Sequence, residues 1–517
     1  MSSRPIADYS LISDCRSAAL VSRDGSIDWF CPGRFDRPSV FARLLDEEGG
    51  SWSLRPVGDA QVSRRYLERT MVLETTFRTS TGTLVLLDAM AVGPDERGHE
   101  LGMGSPGVLL RRASCVEGRV DLSIEYQPRM EYGLVHPLLL PVDGAVVARG
   151  GGDVLVLSCA LLLEVQRSFA TGRVQLAAGE SVSFALEHVT GSEPIPQPWS
   201  QQAVDERFEA TVRGWRTWSD IHQAYEGPWR ELVHHSGRVL QALTYQPTGA
   251  IVAAPTTSLP EAVGAARNWD YRYTWVRDAS LTLEALWVAA CPDEAHRFFT
   301  WMAAAAAARV HETDLQIMFG VGGEHDLSER ELPHLSGWRR SRPVRVGNGA
   351  WNQRQLDVYG ELLSAARRLR DYLGSLDLAT RRFLVEVADA AAQRWEEPDQ
   401  GIWEVRGEPR HFLYSKLMCW VALDSAIELA DDLGARERVA AWARTRQQVR
   451  EAIESHGWSQ SAGAFSQSFG SDALDASALM LPIVGFLPGT DPRVRSTIDA
   501  IDARLTDDRG LVYRYRS

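Results

Sequence analysis

Hydrophobic and polar residues alternate along the first part of the chain, up to about residue 195. The segment 19–30 contains two alternating runs on either side of Asp24-Gly25, a pair that favours the turn of a β-hairpin. Further alternating runs, separated by turn residues, occupy 71–77, 83–87, 107–115, 120–127, 145–149, 154–159 and 181–189. Short strands at this spacing predict an antiparallel β-sandwich over residues 1–195.

The spacing of the hydrophobic residues changes after a proline-rich segment at 192–198. Residues 196–228 are predicted as a linker, because 201–221 has the pattern of an amphipathic helix. From residue 229 on, apolar positions recur at helical spacing and predict nine helices, at 229–246, 279–290, 293–309, 352–373, 376–394, 413–432, 436–456, 474–484 and 491–504. Paired helices are compatible with a closed α/α barrel, although the period alone does not show closure.

Composition and charge narrow the class of protein. The net charge of −13 argues against binding to nucleic acid or to an anionic membrane surface. The chain contains no run of about 18 apolar residues and begins without an apolar targeting segment, so a cytoplasmic protein is expected. The six cysteines are scattered, and neither a zinc site nor a disulfide framework is predicted. No metal ion or cofactor is expected.

Tryptophan is unusually frequent. The chain has 17 tryptophans, more than its 15 phenylalanines or 13 tyrosines. Most of them are expected to fill the core, but an indole also offers a flat face on which a sugar ring can stack. Lysine occurs once, as Lys416, and an orienting ammonium near the segment 401–416 is one hypothesis for it.

The segment 268–278 is the part of the chain in which aromatic and charged residues are most densely packed. It places four aromatic and four charged residues immediately before a predicted helix. In one interpretation Asp278 is the N-cap of that helix and the aromatic side chains fill the core. In the other, Arg277 and Asp278 offer donors and acceptors beside aromatic faces, as a site for vicinal sugar hydroxyls requires.

A second segment, 401–416, contains Trp403 followed by Glu404. An apolar indole face could desolvate the carboxyl and raise its pKa, which would give an acid able to protonate a leaving glycosidic oxygen. The alternative is a surface carboxylate paired with Arg406 or Arg410.

The long loop at about 311–351 is too long and too rich in charged and aromatic residues for a simple connector. Its Trp338 and Arg345 could line a pocket or brace the loop. Its glycines lack the spacing of a phosphate-binding loop, so nucleotide binding is not indicated.

Together these segments resemble glycoside hydrolase family 15, which contains glucoamylases, glucodextranases and bacterial trehalases. The similar motifs are Tyr-x-Tyr-Thr-Trp-x-Arg-Asp at 271–278, Ser-Arg-Pro-Val-Arg-Val-Gly-Asn-Gly-Ala at 341–350 followed by Gln-Leu-Asp-Val-Tyr-Gly at 355–360, and Gly-Ile-Trp-Glu-Val-Arg-Gly at 401–407. The N-terminal segments 6–20 and 27–41 resemble the β domain of the trehalase-like branch. The resemblance covers essentially the whole chain.

The resemblance implies an N-terminal β-sandwich followed by an (α/α)6 barrel over 229–517, with an inverting mechanism that releases glucose from α-glucosides. The substrates would be trehalose or malto- and isomalto-oligosaccharides. Glu404 would be the general acid, Arg277 and Asp278 would bind hydroxyls of the terminal glucose, and Tyr271 and Trp275 would wall the pocket. Trp403 would flank the scissile bond. Trp338 and Arg345 are added to the predicted substrate-binding residues because of their place in the loop at 311–351, not because of the resemblance.

In this family the general base is a glutamate in a Gly-Glu-Gly-like segment that follows a stretch resembling 510–515. We therefore expect the base beyond Ser517, and nine predicted helices against the twelve of a full barrel agree with a barrel lacking its last helices. The activity of the 517-residue chain alone is left open. One alternative is a decayed or truncated carbohydrate-binding protein that lacks the base. Another is a helical scaffold without sugar affinity. The oligomeric state is also open.

Overall fold

The structure is a computed structural model that describes residues 3–222, 225–288, 292–307, 315–371 and 376–516. Three of the predicted helices end outside these ranges, at 289–290, 308–309 and 372–373, and Cys291 also lies outside them. The cysteines within the described ranges are buried free thiols, namely Cys15, Cys31, Cys115, Cys159 and Cys419.

Strands make up the N-terminal part of the chain, as the alternating pattern predicts. They are β1 (Tyr9–Ser13), β2 (Ala18–Ser22), β3 (Ser26–Phe30), β4 (Ser51–Pro56), β5 (Gln61–Tyr66), β6 (Leu73–Arg78), β7 (Gly82–Met90), β8 (Leu109–Gln127), β9 (Leu138–Val142), β10 (Ala145–Gly150), β11 (Asp153–Cys159), β12 (Glu164–Gln166), β13 (Phe169–Ala177) and β14 (Ser181–Thr190). The predicted hairpin is formed by β2 and β3, which pair antiparallel. Gly25 in its turn has a φ of 79°, a left-handed conformation that glycine adopts without steric cost.

The long strand β8 belongs to two sheets. Its first half pairs antiparallel with β7 and β14, and its second half pairs antiparallel with β4 and β13. The halves meet at Gly118, whose φ is 68°, and a Cβ there would lie 2.1 Å from the carbonyl oxygen of Thr81. The sequence pattern predicts two strands, 107–115 and 120–127. They are one strand, because glycine lets the chain bend from one sheet into the other.

Buried side chains of both sheets form one apolar core. The fourteen strands are continuous through β8. The first sheet contains β1–β4, the second half of β8, β13 and β12. The second contains β5–β7, the first half of β8, β14, β11, β10 and β9. Ile12 and Trp52 from the first sheet belong to the same cluster as Phe77 and Leu155 from the second. Two antiparallel sheets that share a core in this way have the arrangement of a sandwich.

Helices dominate the described ranges after Thr190. They are α1 (Gln201–His222), α2 (Arg230–Ala242), α3 (Val276–Val288), α4 (Pro292–Ala307), α5 (Asp357–Arg368), α6 (Leu378–Arg394), α7 (Leu413–Glu428), α8 (Ala430–Leu433), α9 (Val439–His456), α10 (Met480–Ile483) and α11 (Pro492–Leu505). Short strands lie between them, namely β15 (Thr244–Tyr245), β16 (Ala250–Ile251), β17 (Thr257–Pro260), β18 (Asn268–Asp270), β19 (Thr274–Trp275), β20 (Met318–Phe319), β21 (Arg330–Glu331), β22 (Arg345–Val346), β23 (Trp458–Ser459) and β24 (Ala464–Phe465). None of the helices within these ranges is both long enough and apolar enough to cross a bilayer.

One predicted helix is largely replaced by other structure. Over 474–484 the chain forms a 3₁₀ turn at Ala476–Leu479 and then the single turn of α10. Asp475 caps the 3₁₀ turn by accepting from the backbone N–H of Ser477 at 2.8 Å. Pro482 has no N–H to donate to a longer α-helix. The apolar pattern of this segment thus accompanies short turns rather than a regular helix, and in these turns Ala478 and Leu481 are buried while Ile483 is exposed.

The C-terminal helices lie in two layers. Helices α3, α5 and α7 pack side by side, and α4 packs against α6. Every residue of α7 from Leu413 to Leu423 is buried, which places this helix in the middle of the fold. In α6 the buried residues recur at helical spacing on one face, as in an outer helix, and they are Thr380, Phe383, Leu384, Val387, Ala388 and Ala391.

A buried ion pair connects the two parts of the molecule next to the segment 268–278. Arg272 donates to both carboxylate oxygens of Asp270, at 2.9 and 2.7 Å, and both side chains are fully buried. The same guanidinium donates to the hydroxyl of Tyr132 and to the carbonyl oxygen of Arg37, each at 2.9 Å. The β domain therefore fixes the segment that leads into α3.

Candidate active site

Arg277 and Asp278 lie in the first turn of α3. The helix begins at Val276, so Asp278 is not the N-cap that one interpretation of the sequence predicts. A carboxylate in the first turn is stabilised by the positive end of the helix dipole. Arg277 Nη2 donates to Asp278 Oδ2 at 3.0 Å, and the Asp278 side chain is 40% exposed. The pair is preformed and accessible to a ligand from the side of Asp278.

Glu404 lies in the loop between α6 and α7, and its carboxyl meets the start of α3. Trp275 Nε1 donates to Glu404 Oε1 at 2.6 Å, and Arg277 Nη2 lies 3.5 Å from the same oxygen. Arg277 Nη1 also donates to the carbonyl oxygen of Ile402 at 2.8 Å. These contacts bring two of the predicted segments, 268–278 and 401–416, into one site.

The backbone of Glu404 is in an unfavourable conformation. Its φ is 55°, in the left-handed region that costs a non-glycine residue about 1–3 kcal/mol. The turn is closed by the backbone N–H of Glu404 donating to the carbonyl oxygen of Gly401 at 3.1 Å. Strain of this kind persists where the surroundings impose it, and it is common in residues that act on a ligand.

Two buried side chains tie this loop to the helices around it. Asp399 Oδ2 accepts from the backbone N–H of Leu356 at 3.0 Å and from the hydroxyl of Ser415 at 2.6 Å. Lys416 donates through Nζ to the carbonyl oxygen of Glu397, and burial lowers the pKa of its ammonium. The single lysine of the chain thus braces the loop that carries the acid through the backbone of Glu397.

Burial raises the pKa of the Glu404 carboxyl above its ordinary value. The positive charge of Arg277 and the hydrogen bond from Trp275 act in the opposite direction, while the nearby carboxylate of Asp278 adds to the rise. The Glu404 side chain is 23% exposed. A carboxyl that has a raised pKa and can still be reached from solvent is suited to general acid catalysis.

Trp403 is held by a residue that the sequence reasoning missed. Its Nε1 donates to both carboxylate oxygens of Asp475, at 3.0 and 2.9 Å. Asp475 is 3% exposed and also accepts from Nε2 of Gln467 at 3.0 Å. The guanidinium of Arg514 lies over the Trp403 ring, 5.3 Å from its centroid. Asp475 thereby fixes the indole that precedes Glu404, across a separation of 72 residues that carries no local sequence signal.

Tyr271 and Trp275 form an aromatic pair beside the acid. Their ring centroids lie 5.7 Å apart at an interplanar angle of 40°. Trp275 is 2% exposed, whereas Tyr271 is partly exposed. Burial raises the pKa of the Tyr271 hydroxyl to about 12, so this hydroxyl remains a hydrogen-bond donor at neutral pH.

Arg345 belongs to a cluster at the edge of the loop that carries Glu404. Its Nε lies 3.0 Å from Glu329 Oε1, and Arg406 Nη2 donates to Glu329 Oε2 at 2.9 Å. Both guanidinium groups lie near the ring of Trp269, 4.8 Å away for Arg345 and 3.9 Å for Arg406. Arg406 therefore pairs with Glu329, and the alternative in which it neutralises Glu404 does not apply.

The structure does not bring Trp338 to the other predicted residues. Trp338 is 6% exposed and packs in an apolar cluster with Trp29 and Leu44 of the β domain. Its Nε1 donates to the carbonyl oxygen of Arg4 at 2.8 Å, and the Arg339 guanidinium lies 4.3 Å from its ring centroid. Of the two roles that the sequence left open, these contacts fit the bracing of the loop and not the lining of a pocket.

Direct contacts thus join five of the predicted residues, namely Tyr271, Trp275, Arg277, Asp278 and Glu404. Trp403 and Arg345 lie in adjoining clusters. Within the part of the chain that the structure describes, no group of three or more histidine, cysteine, aspartate or glutamate side chains could hold a metal ion. The acids of the site have indole N–H groups and guanidinium groups as their partners.

Known proteins resemble this chain along its whole length. The trehalase of Mycolicibacterium smegmatis is 40% identical over 531 residues, an alignment covering 99% of this chain and 79% of the relative. The trehalase of Mycobacterium tuberculosis is 39% identical over 535 residues, covering 99% and 77%. The trehalase of Thermoplasma acidophilum is 33% identical over 500 residues, covering 96% and 84%.

A solved structure supports the fold. A bacterial glucoamylase complexed with acarbose superimposes with a TM-score of 0.71 and covers 100% of this chain and 81% of its own. At 12% sequence identity, this match is evidence for the fold alone. It agrees with the N-terminal antiparallel sheets and the helical C-terminal part expected from the sequence.

The site and these relatives define the protein as a glycosidase. The profile of Glycosyl hydrolases family 15 matches residues 227–517, and the profile named Trehalase-like, N-terminal, matches residues 1–205. The chain belongs to glycosyl hydrolase family 15.

Proposed function

We propose that this glycosidase hydrolyses α-linked glucosides at a terminal glucose, with inversion at the anomeric carbon, and that trehalose is its substrate. Malto- and isomalto-oligosaccharides are the alternative substrates. The observation that carries the proposal is the Glu404 carboxyl, which has a raised pKa and lies in contact with Trp275 and Arg277.

In this proposal Glu404 protonates the glycosidic oxygen as the bond to the anomeric carbon breaks. Burial raises the pKa of the carboxyl and so favours its protonated form before the reaction, and the Trp275 N–H stabilises the carboxylate that remains after the proton has left. The neighbouring Arg277 guanidinium supports the same charged product. Both partners are in place before the substrate arrives, so little reorganisation is needed during the reaction.

The terminal glucose binds beside the acid through Arg277 and Asp278. The Asp278 carboxylate accepts hydrogen bonds from adjacent hydroxyls, and the guanidinium donates to their oxygens. Tyr271 supplies a ring edge and a protonated hydroxyl at the wall of the pocket. Trp403, held by Asp475, offers an indole next to the bond that is cleaved.

An inverting mechanism also requires a carboxylate that activates water, about 6.5–9.5 Å from the acid. The proposal assigns none of the described carboxylates to that role. For the fold, we propose that the two helical layers form part of an (α/α)6 barrel, with the site at the N-terminal ends of α3 and α5. The packing of α3, α5 and α7 as neighbours supports this arrangement.

Trehalose is favoured over longer oligosaccharides by the comparisons. The relatives with the trehalase name align over 96–99% of this chain, including its β domain. The match of residues 1–205 to a trehalase-like N-terminal profile points in the same direction. The likeness to the bacterial glucoamylase is a likeness of fold, and only in that sense does it support the alternative substrates.

The test is proton NMR of the products of trehalose hydrolysis by the purified protein at early times. Only the glucose whose anomeric carbon is attacked inverts, so an inverting enzyme releases one β-glucose and one α-glucose from each trehalose. A retaining enzyme releases α-glucose alone, and this result would contradict the proposed mechanism. Parallel reactions with maltose and isomaltose test the choice of substrate. Sugar binding in calorimetry without turnover on any substrate would support the non-catalytic alternative.

A further inference from the structure

Helix α5 carries two buried acids on one face, and the backbone N–H just before the helix donates to Asp399 in the loop that carries Glu404. Asp357 is its first residue and Glu361 follows one turn later, so their side chains lie one above the other. Asp357 is fully buried and Glu361 is 5% exposed. Their helix packs between α3, which carries Arg277, and α7. Two stacked acids in an apolar layer are costly, because burial penalises their charged forms.

Asp357 has no hydrogen-bond partner for either carboxylate oxygen among the described residues. Burial raises the pKa of its carboxyl to about 7, and the strongest opposing influence is the positive charge of Arg277. The carboxylates of Asp399 and Glu404 act in the same direction as burial. Asp357 therefore interacts electrostatically with both the guanidinium and the acid of the site.

Glu361 is in a different situation. Its carboxyl accepts a hydrogen bond from the hydroxyl of Tyr414 on α7. Burial raises the pKa of Glu361 to about 8, and the negative charge of Asp357 adds to the rise. Glu284 of α3 acts on it in the same sense, while Arg277 opposes them. The pKa of Glu361 thus lies above that of Asp357, so Asp357 is the first of the pair to become charged as the pH rises.

Cys419 of α7 is a further titratable group that interacts with Asp357. Burial raises the pKa of the Cys419 thiol to about 12, so this group is neutral. The charges that act on Asp357 from the elements packed against α5 are therefore Arg277 of α3, together with Asp399 and Glu404 of the loop that precedes α7. Glu361 and Tyr414 contribute their neutral forms.

The consequence for Glu404 follows from reciprocity. If the charge of Glu404 makes Asp357 harder to ionise, a charged Asp357 must make Glu404 harder to ionise by the same free energy. Arg277 has the opposite effect on Glu404. A negative charge at Asp357 offsets part of the positive field of Arg277, so the guanidinium can bind sugar hydroxyls without depriving the acid of its proton.

We propose that Asp357 is a positioning residue for the general acid, one that balances the charge of Arg277 from the buried start of α5 and so maintains the protonated form of Glu404. This inference rests on the proposed function of Glu404. A purely structural role explains the site less well, because an apolar residue of similar volume would fill this position at lower cost than an acid without hydrogen bonds.

The test is the pH dependence of kcat/KM for trehalose in the wild type, Asp357→Asn and Glu361→Gln. The alkaline limb of the profile reports the pKa of the acid in the free enzyme. We expect Asp357→Asn to move this limb to lower pH by about half a unit or more, since a charge effect through a partly screened interior has that size. Asp357→Glu, which retains the charge, should restore the limb. If the asparagine variant does not fold, Asp357→Ser takes its place.

Glu361→Gln is the matched control on the same face of α5. Glu361 acts on Asp357 in its neutral form, and glutamine is neutral as well, so the alkaline limb should stay in place. The inference would be overturned if the alkaline limb of Asp357→Asn lay within 0.2 pH unit of the wild-type limb, which is about the error of such a profile. Equal shifts to lower pH in both variants would also overturn it.

A second substrate separates this outcome from a failure of the proposed function. The leaving group of α-glucosyl fluoride needs little protonation, so the alkaline limb should be lost with this substrate in the wild type. If the limb persists, it does not belong to the general acid, and the role of Glu404 is wrong. Another outcome is that the limb is lost with α-glucosyl fluoride, as expected, while with trehalose it lies at the same pH in Asp357→Asn as in the wild type. In that case only the proposed role of Asp357 is wrong.

Discussion

The hydrogen bond between Trp275 and Glu404 has a consequence that can be measured with one substitution. Trp275→Phe removes the indole N–H that donates to Glu404 Oε1 at 2.6 Å and keeps most of the aromatic surface. This donor stabilises the carboxylate more than the protonated acid, and for that reason it lowers the pKa of Glu404. Its loss should raise that pKa further.

The size of the shift can be bounded from the contact. A hydrogen bond to a charged group contributes about 1.5–3 kcal/mol, and one pKa unit corresponds to about 1.4 kcal/mol. The full contribution would therefore be about one to two units. Because the Glu404 side chain is 23% exposed, water can replace part of the lost donor, and we expect about one unit.

The assay is kcat/KM for trehalose across the alkaline limb of the pH profile. In Trp275→Phe the limb should lie about one unit higher than in the wild type, whereas kcat/KM on the plateau falls because the carboxylate product has lost a donor. The direction is opposite to that expected for Asp357→Asn. An alkaline limb that does not move, or that moves to lower pH, would refute the assignment of this contact to the catalytic acid.

Three further predictions concern binding, the Trp403 support and stability. Asp278→Ala should lower kcat/KM by about 100-fold and abolish glucose binding in calorimetry, since it strands several charge-assisted hydrogen bonds; unchanged affinity in a folded variant would make Asp278 merely structural. Asp475→Asn should lower kcat by about tenfold with little change in glucose affinity, because the Trp403 N–H loses its anionic acceptor. A variant with the kcat of the wild type would show that the support of Trp403 does not affect the reaction. Asp88→Ala removes the carboxylate partner of the fully buried Arg111 and should lower the free energy of unfolding by about 3–5 kcal/mol in urea, and a change below 1 kcal/mol would contradict the buried pairing.

Local patterns predicted the fold well where each element is stabilised by its own sequence. The Asp24-Gly25 turn fixes a hairpin because its conformation suits glycine, and the predicted pair is confirmed as β2 and β3. Patterns failed where tertiary packing decides. Gly118 separates two alternating runs that form one strand, and the apolar run at 474–484 forms short turns beside the Asp475 cap.

The site shows the same division. Glu404 and the pair Arg277 and Asp278 stand out locally because charged residues adjoin tryptophans, and their mutual contacts agree with a common site. The partners of these residues carried no local signal, since Asp475 is distant in sequence. Asp357 lies in a segment whose helical pattern is evident, but the burial of both carboxylate oxygens depends on how α5 packs between α3 and α7.

The central claim is that Glu404 donates a proton to the leaving group, and one comparison tests it most directly. The measurement is the rate of hydrolysis of trehalose and of α-glucosyl fluoride by the wild type, Glu404→Gln and the control Glu408→Gln, an exposed carboxylate of the same loop. We predict that Glu404→Gln loses about 100-fold or more on trehalose, far less on α-glucosyl fluoride, and that Glu408→Gln resembles the wild type. Equal losses on both substrates, or near-wild-type hydrolysis of trehalose by Glu404→Gln, would contradict the account.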